Sequence, residues 1–336
     1  MKRLLIFHPA VMPYRRNFFS QLAEEFEVRL VRTSPEGKGS VRVGKELNSF
    51  RPDVVLTGEF GMIPLRVLLH RLFTRGHYRV VTLCDDSLPF VQGIGNFSRS
   101  HIWGRKWLSS HLDDIILSDS RVAAWFQERY HKGVWMPILS RYPLNRTALK
   151  ESNEAIQRYG LAGKRVFIYV GRFVSLKNIQ LLLEAYAQIR GADTALALVG
   201  DGEQRAELEQ KAKELGLEKE VIWDGWQEGV GVAKWYNIAT ALVLPSRIEP
   251  FGAVVGEALD GGCRVLVSDQ AGAACLVDPE KNGRVFSLDG DAAAKLAALM
   301  DKEKAVCPAS IDTPRPSLAV YTYEDGFDRV RKVLNT

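Results

Sequence analysis

The stretch ALVLPSRIEPFGAVVGEALDGGCRVLVSD, residues 241–269, reads as one strand–helix–strand unit. Ala241–Leu244 and Arg264–Val267 are short, apolar and bounded by turn residues, as strands buried on both faces are. Phe251–Asp260 between them has the length and content of a helix, with Pro250 fitting its first turn because that position has no N–H to satisfy. Two strands joined through a helix run parallel, with a right-handed crossover.

The same alternation extends outward in both directions. After residue 160 the strands Arg165–Val170, Ala195–Val199 and Val221–Trp223 precede this unit. The helices Asn178–Ile189, Glu203–Leu215 and Val232–Tyr236 lie between them. An earlier series has strands at Arg3–Phe7, Val28–Val31, Val54–Thr57, Arg79–Leu83 and Ile115–Ser118, with helices at Asn17–Glu25 and Arg121–Tyr130. Each series predicts a parallel α/β sheet wrapped by helices, that is, a doubly wound domain. A polar segment with two prolines, residues 136–155, separates them, so the expected domains are 1–150, 151–318 and a terminal amphipathic helix within 319–336. Ligands of such sheets bind beyond the carboxyl ends of the strands, which places functional residues in the loops that follow strands.

Length and composition fit two soluble globular domains: 336 residues, 46% apolar and 25% charged. The opening apolar run is too short for a signal peptide, and no stretch approaches the roughly 18 apolar residues that span a bilayer. The expected location is the cytoplasm or the cytoplasmic face of a membrane. Cys84, Cys263, Cys275 and Cys307 match no zinc or redox spacing and read as free thiols. The net charge of +5 is unevenly spread. Residues 1–150 carry 23 Lys/Arg against 13 Asp/Glu, and the remainder is net acidic. A basic half points to an anionic partner; no nucleic-acid module accompanies it, and nucleic acid is not expected as a partner.

Two loops carry the chemistry. After RVFIYV come Gly171, Arg172, Lys177 and Asn178. A glycine turn leading into a helix start is an anion site, and a guanidinium and an ammonium five residues apart can converge on one diphosphate. On spacing alone, two solvated surface cations fit better. After ALVLPS come Glu249, Pro250, Phe251, Gly252 and Ala253, then Glu257 on the helix. Gly252 lets a ligand approach the backbone, the first helical N–H groups suit phosphate, and the two carboxylates suit the paired hydroxyls of a sugar or ribose. The helix dipole accounts for an acid at Glu249, but Glu257 lies too deep in the helix for that. The segment LVGDGEQ has Arg205 where a third glycine would complete a dinucleotide fingerprint, so it reads as a tight turn. No pair of acids is spaced as a metal clamp, and no metal is expected.

In order and spacing, GRFVSLKN, GDG, DGW (Asp224–Trp226), LPSRIEPFGAVVGEALDGGCRVLVSD and KNGRVF (Lys281–Phe286) resemble glycosyltransferase family 4, the retaining glycosyl transferases group 1. The resemblance covers residues 160–290 well and the first half in outline. It implies a GT-B architecture: two Rossmann-like domains facing across a cleft, the C-terminal helix returning to the first. It implies a retaining, metal-independent hexosyltransferase with no cofactor. Its partners would be a nucleoside-diphosphate sugar, UDP-sugar before GDP-sugar, and a glycan or lipid-linked acceptor of surface polysaccharide or glycolipid synthesis. Arg172 and Lys177 would neutralise the diphosphate, Glu249 would contact the sugar and Glu257 the ribose. Gly171 and the amides of Phe251, Gly252 and Ala253 would add donor contacts, and Trp226 would lie near the base unless it is a core residue. The alternatives are a nucleotide-sugar 2-epimerase of the same architecture and a non-catalytic nucleotide-sugar-binding subunit.

The first half departs from the family pattern. HPAVMPYRR stands where many relatives have glycines, and Cys84 stands where many have histidine, followed by Asp85 and Asp86. His8 at a strand end, Tyr14, Arg15, Arg16, Asp85 and Asp86 are the acceptor-side candidates; a structural role fits His8 equally. Residues 62–75 (MIPLRVLLHRLFTR) and 99–108 (RSHIWGRKWL) mix leucine, tryptophan and basic residues. They suit either an anionic membrane surface or helices packed on the sheet.

Overall fold

The structure is a computed structural model that describes residues 1–9, 15–33, 41–92, 98–139 and 144–336. It divides into two compact units, Met1–Ile138 with Thr322–Thr336, and Leu139–Tyr321. The division falls at Leu139 rather than near residue 150. The chain from Leu144 onward already packs with the second unit: buried Ser152 on the helix Leu149–Tyr159 donates to the Lys234 carbonyl at 3.1 Å.

In the first unit, β1 (Arg3–His8), β2 (Glu27–Arg32), β3 (Val54–Gly58), β4 (Arg79–Cys84), β5 (Asp114–Leu117) and β6 (Val134–Trp135) form one parallel sheet in the order β2-β1-β3-β4-β5-β6. Its helices are α1 (Arg16–Glu25), α2 (Val43–Phe50), α3 (Met62–Thr74), α4 (Leu88–Val91), α5 (Arg99–His111) and α6 (Ser120–Tyr130). Leu4, Leu5, Ile6 and Phe7 are all buried, because helices cover both faces of the sheet and leave no solvent side for polar alternation. The strand order reverses at β1/β3, so the ends of those strands, His8 and Gly58, mark the crevice where ligands of such sheets bind.

In the second unit, β7 (Arg165–Val170), β8 (Thr194–Val199), β9 (Val221–Gly225), β10 (Ala241–Leu244), β11 (Arg264–Ser268) and β12 (Gly283–Phe286) form a parallel sheet in the order β12-β11-β10-β7-β8-β9. It is wrapped by α7 (Leu149–Tyr159), α8 (Ile179–Ile189), α9 (Arg205–Glu214), α10 (Val230–Ile238), α11 (Ala253–Asp260) and α12 (Ala292–Lys302). Here the order reverses at β7/β10. The two loops singled out in the sequence follow these two strands.

The last helix, α13 (Tyr323–Asn335), belongs to the first unit. Thr322 caps it by accepting from the Asp325 N–H at 3.1 Å. Phe327, Val330 and Leu334 recur at helical spacing and are fully buried. The Phe327 ring meets Phe18 of α1 edge-on at 6.1 Å, and Arg329 donates to the Trp135 carbonyl at 2.8 Å. The two sheets with their helices constitute the two-domain α/β GT-B fold.

Candidate functional site

In the second unit, four loop segments are locked together at the sheet's switch point. Gly171 (φ +149°) donates to the Val199 carbonyl at 3.0 Å, Phe173 to Asp201 at 2.8 Å, and Gln204 back to Phe173 at 3.0 Å. A Cβ on Gly200 would lie 1.9 Å from the Gly171 carbonyl oxygen, and one on Gly202 within 2.8 Å of the Phe173 backbone. The GDG run is therefore glycine because another backbone lies against it, a long-range reason that a turn reading misses.

A second lock joins the loops after β10 and β11. Glu249 pairs with Ala271 in a parallel bridge, Gly272 donates to the Glu249 carbonyl at 3.1 Å, and Ala273 to Phe251 at 2.7 Å. A Cβ on Gly272 would meet the Pro250 oxygen at 2.3 Å. This bridge keeps Pro250 and Phe251 outside the helix, and Gly252 turns left-handed at φ +95°. The helix α11 consequently begins at Ala253, not at Phe251, and Pro250 lies ahead of its first turn. No side chain caps α11, so its first N–H groups remain available to a ligand.

Lys177 and Glu249 come together from these two loops as an ion pair, with only 17% and 10% of their side chains exposed. Arg172 is exposed at the end of β7, and Tyr169 fixes its carbonyl with a 3.0 Å hydrogen bond. Glu257 is half-buried on α11 and accepts from the Tyr236 hydroxyl at 3.0 Å. Burial raises the Glu257 pKa above its usual 4.5, and the tyrosine hydrogen bond works in the opposite direction. Tyr236, read from the sequence only as the end of a helix, thus orients one carboxylate of the pair. Nothing local marked it, since its contact spans 21 residues.

The two tryptophans near Asp224 separate. Trp235 is fully buried, stacks on Tyr159 at 5.8 Å and donates to Asp224 at 2.8 Å. Lys234 and Tyr159 also hold Asp224, at 2.9 and 3.0 Å. Trp226, after the left-handed Gly225, is 57% exposed and is therefore not a core residue.

In the first unit, the strand ends gather a charged cluster. Arg15, 3% exposed, pairs with Asp85, and Arg105 pairs with Asp86. Cys84 is buried and donates its thiol to Asp86 at 2.9 Å. Burial and the Asp86 charge push the thiol pKa well up, so Cys84 acts as a protonated donor at the position where many relatives have histidine. His8 is half-buried, edge-on to Phe19 at 5.3 Å. Arg16 is exposed on the first turn of α1. Tyr14 lies outside the described residues.

Sequence reasoning passed over Glu59. It follows β3 directly, with a left-handed φ of +60° that costs a non-glycine residue on the order of 1–3 kcal/mol. Its N–H donates to Leu83 at 2.7 Å and its carbonyl accepts from Thr82 at 3.4 Å, which holds the strained backbone. Burial, then Asp85 and Asp86, raise its carboxyl pKa. The available signal was an acid immediately after a buried strand, TGEF. Among the described residues, no group of three or more His, Cys, Asp or Glu is arranged to hold a metal ion, and no helix is long and apolar enough to cross a membrane.

This combination defines a GT-B protein with polar clusters at the carboxyl ends of both sheets. Residues 151–306 match the family model "Glycosyl transferases group 1", so this stretch is a domain of that family. The chain is 34% identical over 121 residues to an uncharacterized glycosyltransferase of Methanocaldococcus jannaschii, covering 36% of this chain and 31% of the relative. It is 34% identical over 128 residues to the lipopolysaccharide 1,6-galactosyltransferase of Salmonella typhimurium, covering 36% and 35%. The chain thus matches about a third of the length of each of these relatives. Among solved structures, Anabaena HepE in complex with UDP superposes with a TM-score of 0.72 at 17% identity over 100% of both chains. That likeness concerns the fold.

Proposed function

We propose that the protein is a retaining hexosyltransferase of family 4 that takes its sugar from a nucleoside diphosphate, with UDP preferred to GDP. The observation that carries this reading is the convergence, at one switch point, of Arg172, the Lys177–Glu249 pair, Glu257 with Tyr236, and the uncapped start of α11. It is supported by the HepE structures, which hold UDP and, in another crystal, UDP-glucose, and by the galactosyltransferase relative.

In this reading Arg172 and Lys177 offset the charge that develops on the departing diphosphate, the largest electrostatic contribution to the rate. They provide it without a metal. Glu249 accepts hydrogen bonds from donor-sugar hydroxyls and Glu257 from the ribose, while Gly171 and the amides of Phe251, Gly252 and Ala253 approach the donor closely. Trp226 offers an exposed ring to the base. As the sugar–phosphate bond breaks, the leaving oxygen takes the acceptor hydroxyl's proton on the same face, and the new bond keeps its configuration. His8, Tyr14, Arg15, Arg16, Asp85 and Asp86 form the acceptor side, with the unit Met1–Ile138 and Thr322–Thr336 as the acceptor domain and Leu139–Tyr321 as the donor domain. The acceptor is a glycan or lipid-linked glycan of surface polysaccharide or glycolipid synthesis, met in the cytoplasm or at the cytoplasmic face of a membrane. Peripheral contact with an anionic membrane is supported by α3 and α5. Each buries one face yet exposes large apolar residues, Leu72 and Phe73 on α3, Ile102 and Trp103 on α5, beside Arg66, Arg99 and Lys106.

The test incubates the protein with UDP-hexoses, with and without a glycolipid extract as acceptor, and follows UDP release and product anomeric configuration. Acceptor-dependent UDP release with retention is expected. Epimerised donor without nucleotide release would replace the transferase with an epimerase, and tight UDP binding without turnover would leave a binding subunit.

A further inference from the structure

A cavity of about 1140 Å³ opens in the first unit among α3, α5 and α6. This is slightly larger than most small-molecule sites, which are roughly 300–1,000 Å³. Its composition changes along its length. At the strand ends it is lined by Glu59, Cys84, Asp86 and Arg105, the cluster described above. Its walls are mostly carbon, from Phe60, Leu65, Leu69, Trp107, Trp125 and Phe126, with Lys106 and Arg129 also on the lining. The polar end is tied together by side-chain contacts. Arg105 is paired with Asp86 and lies over the Phe60 ring at 4.3 Å, and Phe60 stacks on Phe126 at 5.9 Å. The lining also includes Met62, Ile102 and Trp103, which are 59%, 42% and 68% exposed. Solvated apolar side chains continuous with an apolar cavity mark a binding site rather than a packing defect.

We infer that this cavity binds an amphiphilic acceptor, its hydroxylated headgroup at Glu59 and Asp86 and its hydrocarbon chain along the aromatic walls toward Met62, Ile102 and Trp103. The inference rests on the transferase reading for the word acceptor, but the site stands on its own geometry. Charge selects the headgroup. Arg105 offsets Asp86 and Arg15 offsets Asp85, so Glu59 is the one lining carboxylate at the polar end for which no ion pair is formed among the described residues, which suits hydroxyl donors there. The walls select the chain. A peptide would bring N–H and C=O groups against carbon surfaces that cannot satisfy them, whereas a hydrocarbon gains from every methylene buried. A tryptophan and an isoleucine exposed beside Lys106 on α5 suit a rim at a lipid–water boundary.

The test titrates the full chain with hexyl, octyl and decyl β-glucoside below their micelle concentrations, following the fluorescence of the tryptophans that line the cavity. The dissociation constant is expected to fall on the order of tenfold for each added pair of methylenes. Leu65→Glu, inside the wall, flattens this dependence. Phe73→Glu, on the same helix but outside the cavity, leaves it unchanged. Glu59→Gln weakens all three ligands by a similar factor with the chain-length slope intact. Should Leu65→Glu fail to fold, Trp103→Gln at an exposed rim position takes its place and weakens decyl glucoside more than hexyl. No chain-length dependence, or dependence lost in Phe73→Glu and retained in the cavity variants, would overturn the inference. A parallel thermal-shift titration with UDP separates the two readings. A UDP shift without a cavity effect removes only this site, and a cavity effect without any UDP shift removes the transferase reading and leaves the site.

Discussion

The Lys177–Glu249 pair offers a quantitative test, because its two charges are unequally able to reach water. Glu249 is 8% exposed as a residue, while the Lys177 side chain retains 17% and has the longer stem. Lys177→Met strands a carboxylate in a nearly dry site, which costs about 3 kcal/mol. Glu249→Gln keeps the shape and leaves an ammonium that can swing toward solvent, for about 1 kcal/mol. Independent sites would then make the double variant cost about 4 kcal/mol. Removing both charges together instead leaves nothing unpaired, and the double variant should cost only about 1–2 kcal/mol, a coupling of at least 2 kcal/mol. Denaturant unfolding of the four proteins reads this directly. UDP affinity adds a second readout that a purely structural ion pair would not move. Lys177→Met loses a charge-assisted contact worth about 1.5–3 kcal/mol, so UDP should bind roughly 10- to 100-fold more weakly. Glu249→Gln removes a negative charge facing the diphosphate and releases Lys177, so UDP alone should bind more tightly while transfer is lost. A coupling below about 0.5 kcal/mol, or UDP weakened equally in both single variants, would refute the assignment of these residues to one anion-facing pair.

Other consequences follow from single positions. Gly200→Ala should destabilise the second unit by about 3 kcal/mol or more, since its Cβ would overlap the Gly171 carbonyl, whereas Gly225→Ala, left-handed but facing open space, should cost only about 1 kcal/mol; denaturant midpoints compare them. Glu257 has a folded pKa raised by burial, so the folded protein holds its proton to higher pH than the unfolded chain, and stability falls as pH rises from 4.5 through the folded value. Glu257→Gln should therefore raise the melting temperature at neutral pH, with the advantage vanishing below about pH 4, while weakening donor binding. Of the four thiols, Cys84, Cys263 and Cys307 are buried with raised pKa values, that of Cys263 to about 12 and that of Cys307 to about 11. A thiol reagent at neutral pH should modify half-buried Cys275 first and the other three only on unfolding.

What was legible in the sequence is what is local. Five of the six strands of the second sheet announce themselves as apolar runs, while β12, GRVF with two exposed central residues, does not; the loops after β7 and β10 carry their charged residues within a few positions. Arg172, Lys177, Glu249 and Glu257 could therefore be named before any fold was known. The helix start at Ala253 was not legible, because Phe251 is a helix-compatible residue. It is kept out of the helix by the neighbouring Glu249–Ala271 bridge and by its own carbonyl accepting from the Ala273 N–H at 2.7 Å, contacts some twenty positions away in the chain and silent in any local window. Gly200, Gly202 and Gly272 are the same case: each looks like a turn residue, and each is glycine because a distant carbonyl occupies the space of its Cβ.

The first unit shows the other side of this rule. Its site is assembled by side chains that reach one another across 70 residues in Arg15–Asp85 and 19 in Asp86–Arg105. No motif records such spacings. Arg105 and Trp107 sat in a stretch whose composition fitted a membrane surface and a packed helix equally well. The faces of α5 differ: Leu108 and Ser109 pack inward, Ile102 and Trp103 remain in solvent, and Arg105 turns to the carboxylates. Glu59 is the sharpest instance. A left-handed backbone would ordinarily be assigned to Gly58 beside it, yet Gly58 is an ordinary strand end against His8, and the strain falls on the acid. A glycine in the strained position would be cheaper, by on the order of 1 kcal/mol, and would carry no carboxylate. Arg51, Arg75 and His131 carry the same left-handed backbone at helix ends, whereas Glu59 carries it at a strand end with its side chain lining a cavity, the placement a binding role would produce.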